Sequence, residues 1–137
     1  MDLNQVTLET SDLEKAAAFY ETLGLKRIVW SAPRYARFEC ASGSSTLSLH
    51  YADDVTPQGT ALYFETETLD AVVSALVEAG LRFDSLPEDK DWRWREAWLR
   101  DPDGRRLCLY HAGPDRRFPP WRVTEKAADD AARGAEK

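Results

Sequence analysis

What most constrains this chain is a repeat inside it. Residues 6–25 read VTLETSDLEKAAAFYETLGL and residues 62–81 read LYFETETLDAVVSALVEAGL, and the two align without a gap at an offset of 56. Glu9 meets Glu65, Thr10 meets Thr66, Leu13 meets Leu69, Gly24 meets Gly80 and Leu25 meets Leu81. Each copy is a short alternating run, then a turn, then an amphipathic run that stops at glycine, a pattern that spells strand, turn and helix. A duplicated unit of this size confines the fold to two equivalent modules.

The first helix has Ser11 three residues ahead of Glu14, the spacing of a capping box with Ser11 as N-cap. Its apolar stripe is Leu13, Ala16, Ala17, Tyr20 and Leu23, and Gly24 suits the left-handed position that ends a helix. The second helix carries Leu69, Val72, Val73, Leu76 and Val77 on one face and closes at Gly80. Helices that are apolar on one side cover one face of a sheet. Three strand-like runs follow each helix: about 25–31, 34–40 and 45–51, turning at Gly43, then about 81–85, 94–100 and 105–111, turning at DPDG. The reading is an α+β chain of two βαβββ modules, 1–57 and 58–123, whose curved mixed sheets surround a shared cavity. The second module ends in RRFPPWRV at 116–123, where two prolines favour an extended chain. Phe118 and Trp121 there call for burial across the body, against a partner subunit, or over the cavity mouth. Residues 124–137 are short of bulky apolar side chains and are expected to form a mobile tail, helical or disordered.

The 137 residues suit one compact body, and no apolar run approaches the roughly 20 residues that span a bilayer. A net charge of −6 argues against nucleic acid, which needs a basic face. Two cysteines, Cys40 and Cys108, suggest no disulfide framework, and the first residues lack the basic and apolar regions of a signal peptide. The expectation is a cytoplasmic protein with free thiols.

Strand alternation sorts the side chains into two faces. Val6, Leu8, Leu47, Leu49, Leu62, Phe64, Leu99, Leu107 and Leu109 share the parity that packs under the helices. The opposite parity carries Gln5, Thr7, Glu9, Arg37, Glu39, Ser48, His50, Ala61, Tyr63, Glu65, Glu96, Trp98, Arg100, Arg106, Cys108 and Tyr110. A mixture of polar and aromatic side chains of this kind reads as the lining of a concave surface. Cys108 would be part of that wall and not a nucleophile, because nothing in the sequence positions a base beside it. His50 either hydrogen-bonds a ligand or serves structure. Trp92, Trp94, Trp98, Tyr63 and Tyr110 could stack on a flat ligand or fill a dimer interface. Glu39, Glu65 and Glu96 could orient that ligand against Arg37 and Arg100, or pair with those arginines.

QVTLETSDLEKAAAFYETLGL, its echo at 61–81 and WREAWLRDPDGRRLCLYHAG together resemble the vicinal oxygen chelate superfamily, which includes glyoxalase I, extradiol dioxygenases, and fosfomycin- and bleomycin-resistance proteins. The resemblance covers nearly all of residues 3–123. It implies four strand positions that hold a metal in the metal-dependent members, here Gln5, Ser48, Ala61 and Cys108. An amide, a hydroxyl, a methyl and a thiol make a poor site for a hard divalent cation. The resemblance therefore points to the metal-free, bleomycin-resistance-like branch: no cofactor, no catalytic residues, and a homodimer that sequesters a small aromatic or hydrophobic natural product or antibiotic. Gln5, Arg37, Glu39, Ser48, His50, Tyr63, Glu65, Trp94, Trp98, Arg100, Cys108 and Tyr110 are the candidate ligand-binding residues. An enzyme of the same fold, a lyase, isomerase or oxygenase with an atypical metal or none, is the alternative, and a third possibility is an accessory module whose aromatics serve association.

Overall fold

The computed structural model describes residues 1–57 and 59–123. The first module runs β1 (Gln5–Thr10), α1 (Leu13–Leu23), β2 (Lys26–Ser31), β3 (Tyr35–Glu39) and β4 (Thr46–Tyr51). The second runs β5 (Ala61–Glu65), α2 (Leu69–Glu78), β6 (Phe83–Asp89), β7 (Arg95–Arg100) and β8 (Arg106–His111), followed by a 3-10 turn at Gly113–Arg116. Each forms its own four-stranded sheet, ordered β1-β4-β3-β2 and β5-β8-β7-β6. The β1–β4 and β5–β8 pairs are parallel and the others antiparallel. The two sheets thus repeat one βαβββ pattern, as the internal duplication requires.

Alternation decides which strand residues meet the helices. Leu8, Phe38, Leu47 and Leu49 are buried together with Leu13, Ala16, Ala17 and Tyr20 of α1, while Leu99, Leu107 and Leu109 are buried with Leu69, Val73 and Leu76 of α2. All of them join in one apolar cluster that spans both modules. Each fully buried leucine or valine contributes roughly 1.5–3 kcal/mol.

The DPDG turn does more than reverse the chain. Asp101 and Arg105 form a buried ion pair, and the Tyr20 hydroxyl of α1 donates to Asp101 Oδ2 at 2.7 Å. Asp101 Oδ1 accepts from the backbone N–H groups of Asp103 and Arg105, at 3.0 and 2.9 Å. Arg105 Nη2 donates to the Glu9 carbonyl at 2.7 Å, and Ser11 donates from both its backbone N–H and its hydroxyl to Asp103 Oδ1 at 3.2 Å. The turn of the second module is in this way clamped to the strand and helix of the first.

Four sequence expectations need correcting. The N-cap of α1 is Asp12, not Ser11: its carboxylate accepts from the Lys15 N–H at 3.1 Å, while Ser11 is committed to Asp103. Gly24 does adopt the left-handed cap, at φ 117°. Val77 is exposed, because the buried face of α2 is covered by Leu69, Val73 and Leu76. Strand β6 starts at Phe83 and runs on to Asp89, past the expected 81–85. Finally, 116–123 is not extended, and it does not bury its aromatics against the body of its own chain. Phe118 and Arg122 N–H groups close turns onto the Pro114 and Pro119 carbonyls, and Phe118 and Trp121 stand exposed. The guanidinium of Arg122 lies 4.3 Å from the centre of the Phe118 ring. The expected tail, 124–137, lies outside the described residues. No helix among the described residues is long and apolar enough to cross a membrane.

Candidate functional site

On the sheet faces turned away from the helices, the two modules carry different chemistry. In the first, registered neighbours place Gln5 beside Thr46, Ser48 between Thr7 and Arg37, and His50 beside Tyr35. The side chains form one hydrogen-bonded string. Thr46 Oγ1 donates to Gln5 Oε1, Gln5 Nε2 donates to Ser48 Oγ at 2.8 Å, and Ser48 Oγ lies 2.7 Å from the Tyr35 hydroxyl. Arg37 Nε donates to the same Tyr35 oxygen at 2.9 Å. The Ser48 hydroxyl, and behind it Arg37, hold the Tyr35 phenol below its usual range.

The second module presents aromatic rings instead. Trp94 stacks on Tyr110 with centroids 4.7 Å apart and planes at 18°. Tyr63 meets Trp94, Trp98 and Tyr110 edge-on, at 6.2, 5.6 and 5.7 Å. Edge-to-face and offset-stacked pairs are the arrangements that ring quadrupoles favour. Beneath them lies Glu96, buried, and each of its oxygens accepts from an indole: Oε2 from Trp92 at 2.6 Å, Oε1 from Trp98 at 3.0 Å. The Arg106 guanidinium covers the Trp98 ring at 4.4 Å. Cys108 is fully buried in the same group, and burial, reinforced by Glu96, pushes its thiol up to about 12. It is therefore a protonated floor residue under the aromatics and is not exposed on the concave wall.

Between the modules runs a cleft of about 770 Å³. It is bounded by β1, the end of α1 and the 40–46 turn on one side, and by β5, Val72 of α2 and the end of β8 on the other. Gln5, Tyr63, Glu65 and Tyr110 of the expected site line it. Arg37, Glu39, Ser48, Trp94, Trp98, Arg100 and Cys108 do not. Ser48 and Cys108 lie fully buried inside the sheets, and Trp94 and Trp98 support Tyr63 and Tyr110 from the side. His50 lies apart, lining a second hollow of about 520 Å³ with Pro33, Arg34 and Tyr51.

Of the two readings of Glu39, Glu65 and Glu96, pairing with Arg37 and Arg100 does not occur among the described residues. Glu65 instead accepts from the N–H groups of Ala112 and Gly113, at 2.8 and 2.9 Å, and lies 3.6 Å from Arg116. Arg100 pairs with Asp84 at 3.1 Å. Sequence reasoning placed Arg106 on the right face but outside the site, gave Glu96 at most an orienting role, and missed Tyr35. The alternation that gave Arg37 and Glu39 reaches Tyr35 by one more step of two.

The family description "Glyoxalase/Bleomycin resistance protein/Dioxygenase superfamily" matches residues 2–109. The chain belongs to this superfamily. Among solved structures, a superfamily member from Sphaerobacter thermophilus is 26% identical, with a TM-score of 0.67 over 81% of this chain and 97% of that one. A member from Nocardioides is 22% identical, with a TM-score of 0.72 over 90% of each chain. A bleomycin-binding protein complexed with bleomycin is 22% identical, with a TM-score of 0.66 over 81% of this chain and 98% of that one. No curated protein matches the chain.

Against the metal positions of the glyoxalase-type members, the donor chemistry here does not fit a divalent cation. Both ends of the Gln5 amide are engaged by Thr46 and Ser48. Ser48 is buried and shared between Gln5 and Tyr35. Ala61 has no donor atom, and the Cys108 thiol is fully buried among the aromatic rings. Among the described residues no group of three or more His, Cys, Asp or Glu is arranged to hold a metal ion.

Proposed function

We propose that this superfamily member binds a small aromatic or hydrophobic molecule, a natural product or an antibiotic, and sequesters it without a metal and without breaking a bond. The observation that carries this reading is the aromatic layer at the cleft. Tyr63 is half exposed and is held edge-on by three other rings, two of which are stacked on each other. Rigid aromatic walls give large contact area at little entropic cost, and a pocket of several hundred Å³ is the size that takes a drug-sized ligand. A structural relative that is a bleomycin-binding protein supports the ligand class, and the engaged, buried donor set supports the absence of a metal.

The protein acts as a homodimer in the cytoplasm. Strand β2 is the outer edge of its sheet, and Ile28, Val29 and Trp30 stand exposed along it, an apolar edge that a second copy would cover.

Tryptophan fluorescence tests the reading, since three of the five tryptophans belong to the aromatic group. Titration with a panel of flat aromatic antibiotics is expected to give saturable quenching that persists after chelator treatment. Near-stoichiometric zinc, iron, manganese or nickel in the purified protein, or ligand binding that requires one of them, would overturn it. One observation favours a second reading, a cofactor-free catalyst: the Tyr35 phenol, flanked by Ser48 and Arg37, is suited to proton transfer. Ultraviolet titration would then show one phenol ionising ahead of the others and missing in Tyr35→Phe. Without that early phenol this reading is lost.

A further inference from the structure

The repeat allows each position of the aromatic face to be compared with its counterpart in the polar face. In the first module, Gln5 on β1 registers with Thr46 on β4, and their side chains are hydrogen-bonded. The equivalent register in the second module pairs Ala61 with Arg106. The methyl group of Ala61 cannot engage a guanidinium, so Arg106 has no side-chain partner across this register; Ala61 lines the cleft, and Arg106 stands beside it, just outside that lining.

The charges around Arg106 are otherwise satisfied. Glu96 has both oxygens on indole N–H groups, Glu65 is held by two backbone N–H groups and Arg116, and Arg100 pairs with Asp84. Arg106 makes no ion pair or hydrogen bond among the described residues and rests on the Trp98 ring. It is exposed, two residues along β8 from Cys108, which registers with Tyr63.

From this we infer that the face recognises a planar aromatic anion: its ring lies on the half-exposed Tyr63, and its acid group is held by Arg106. The inference rests on the aromatic-binding reading and narrows it to one charge class. A guanidinium already stacked on an aromatic wall loses little freedom when it engages a carboxylate, and its fork donates to both oxygens at once. Cationic ligands would meet the same guanidinium as repulsion. The global charge of −6 does not decide the matter, because the local partner of the ligand is a single unpaired arginine.

Calorimetric titration with three naphthalenes of one shape tests this: naphthalene-2-carboxylate, 2-naphthylmethanol and 2-naphthylmethylamine. The carboxylate is expected to bind roughly tenfold or more tightly than the alcohol, the scale of one charge-assisted hydrogen bond, with the amine weakest. Arg106→Gln should reduce that preference to about threefold or less, and Arg106→Lys should restore part of it. Because Arg106 is exposed, both variants should unfold at the wild-type denaturant midpoint. Equal binding of all three probes, or a preference for the amine, overturns the charge assignment and leaves the aromatic reading standing. A carboxylate preference that survives in Arg106→Gln removes Arg106 from the role. If none of the three binds, the aromatic reading fails and this inference fails with it.

Discussion

Glu96 shows how one side chain can set a surface. Two indole N–H groups converge on it from Trp92 and Trp98, and the carboxylate gives each its own oxygen. A glutamine at 96 would offer one carbonyl and turn its NH2 against the second indole. Glu96→Gln should therefore cost about 1–3 kcal/mol, the penalty for leaving a buried donor unpaired. It should also shift tryptophan emission, because one indole loses its anchor. Urea unfolding checks the first expectation and the emission maximum the second. An unchanged midpoint together with an unchanged spectrum would mean the indoles find water instead. None of this was legible in the sequence beyond the parity of Glu96 and Trp98. Alternation tells which face a residue shares, but not that a tryptophan in the preceding loop bends back four residues to the same carboxylate.

The elements were easier to read than their joints. Strand and helix periodicity located the two βαβββ units, because a half-buried strand and a one-sided helix leave opposite signatures in sequence. The joint between the modules was misread at Ser11. Its spacing to Glu14 satisfies a local rule, yet the hydroxyl is drawn to Asp103, which lies far away in the sequence. Asp12 one residue on serves the helix equally well, so the tertiary contact wins at no cost to the cap. The same joint gives a sharp contrast in energetics. Asp101→Ala would leave Arg105 buried without its carboxylate and should destabilise the protein by about 3–5 kcal/mol. Breaking the exposed pair of Arg100 with Asp84 by Arg100→Ala should cost about 1 kcal/mol or less. Denaturant midpoints of the two variants separate a clamp from a surface pair, and comparable values for both would show that the DPDG turn does not hold the modules together.

At the scale of the whole molecule, the face chemistry was visible but the cleft was not. Parity placed Gln5, Tyr63, Glu65 and Tyr110 on lining faces, whereas which of twelve candidates meet across the gap depends on how two separate sheets are set against each other. That arrangement also gives the fold a pH limit, because burial raises the acids at its two ends. Tyr20, at the inter-module clamp, is raised above its ordinary value by burial and then by the neighbouring Asp101 carboxylate. Cys108, under the aromatic layer, is pushed up to about 12 by burial and Glu96. In the unfolded chain both groups ionise at their ordinary values, so above roughly pH 9 the unfolded state gives up protons that the native state keeps. The stability held by these two groups is therefore complete below that pH and declines as pH climbs towards their folded values. The expected result is a urea midpoint that these two groups leave level between about pH 7 and 8 and lower progressively from about pH 9 to 11. Tyr20→Phe and Cys108→Ala each delete one ionisable group, so each variant, though less stable at neutral pH, should show a shallower alkaline decline. If the double variant declines as steeply as the wild type, the alkaline limit belongs to other groups, and the two buried acids do not set it.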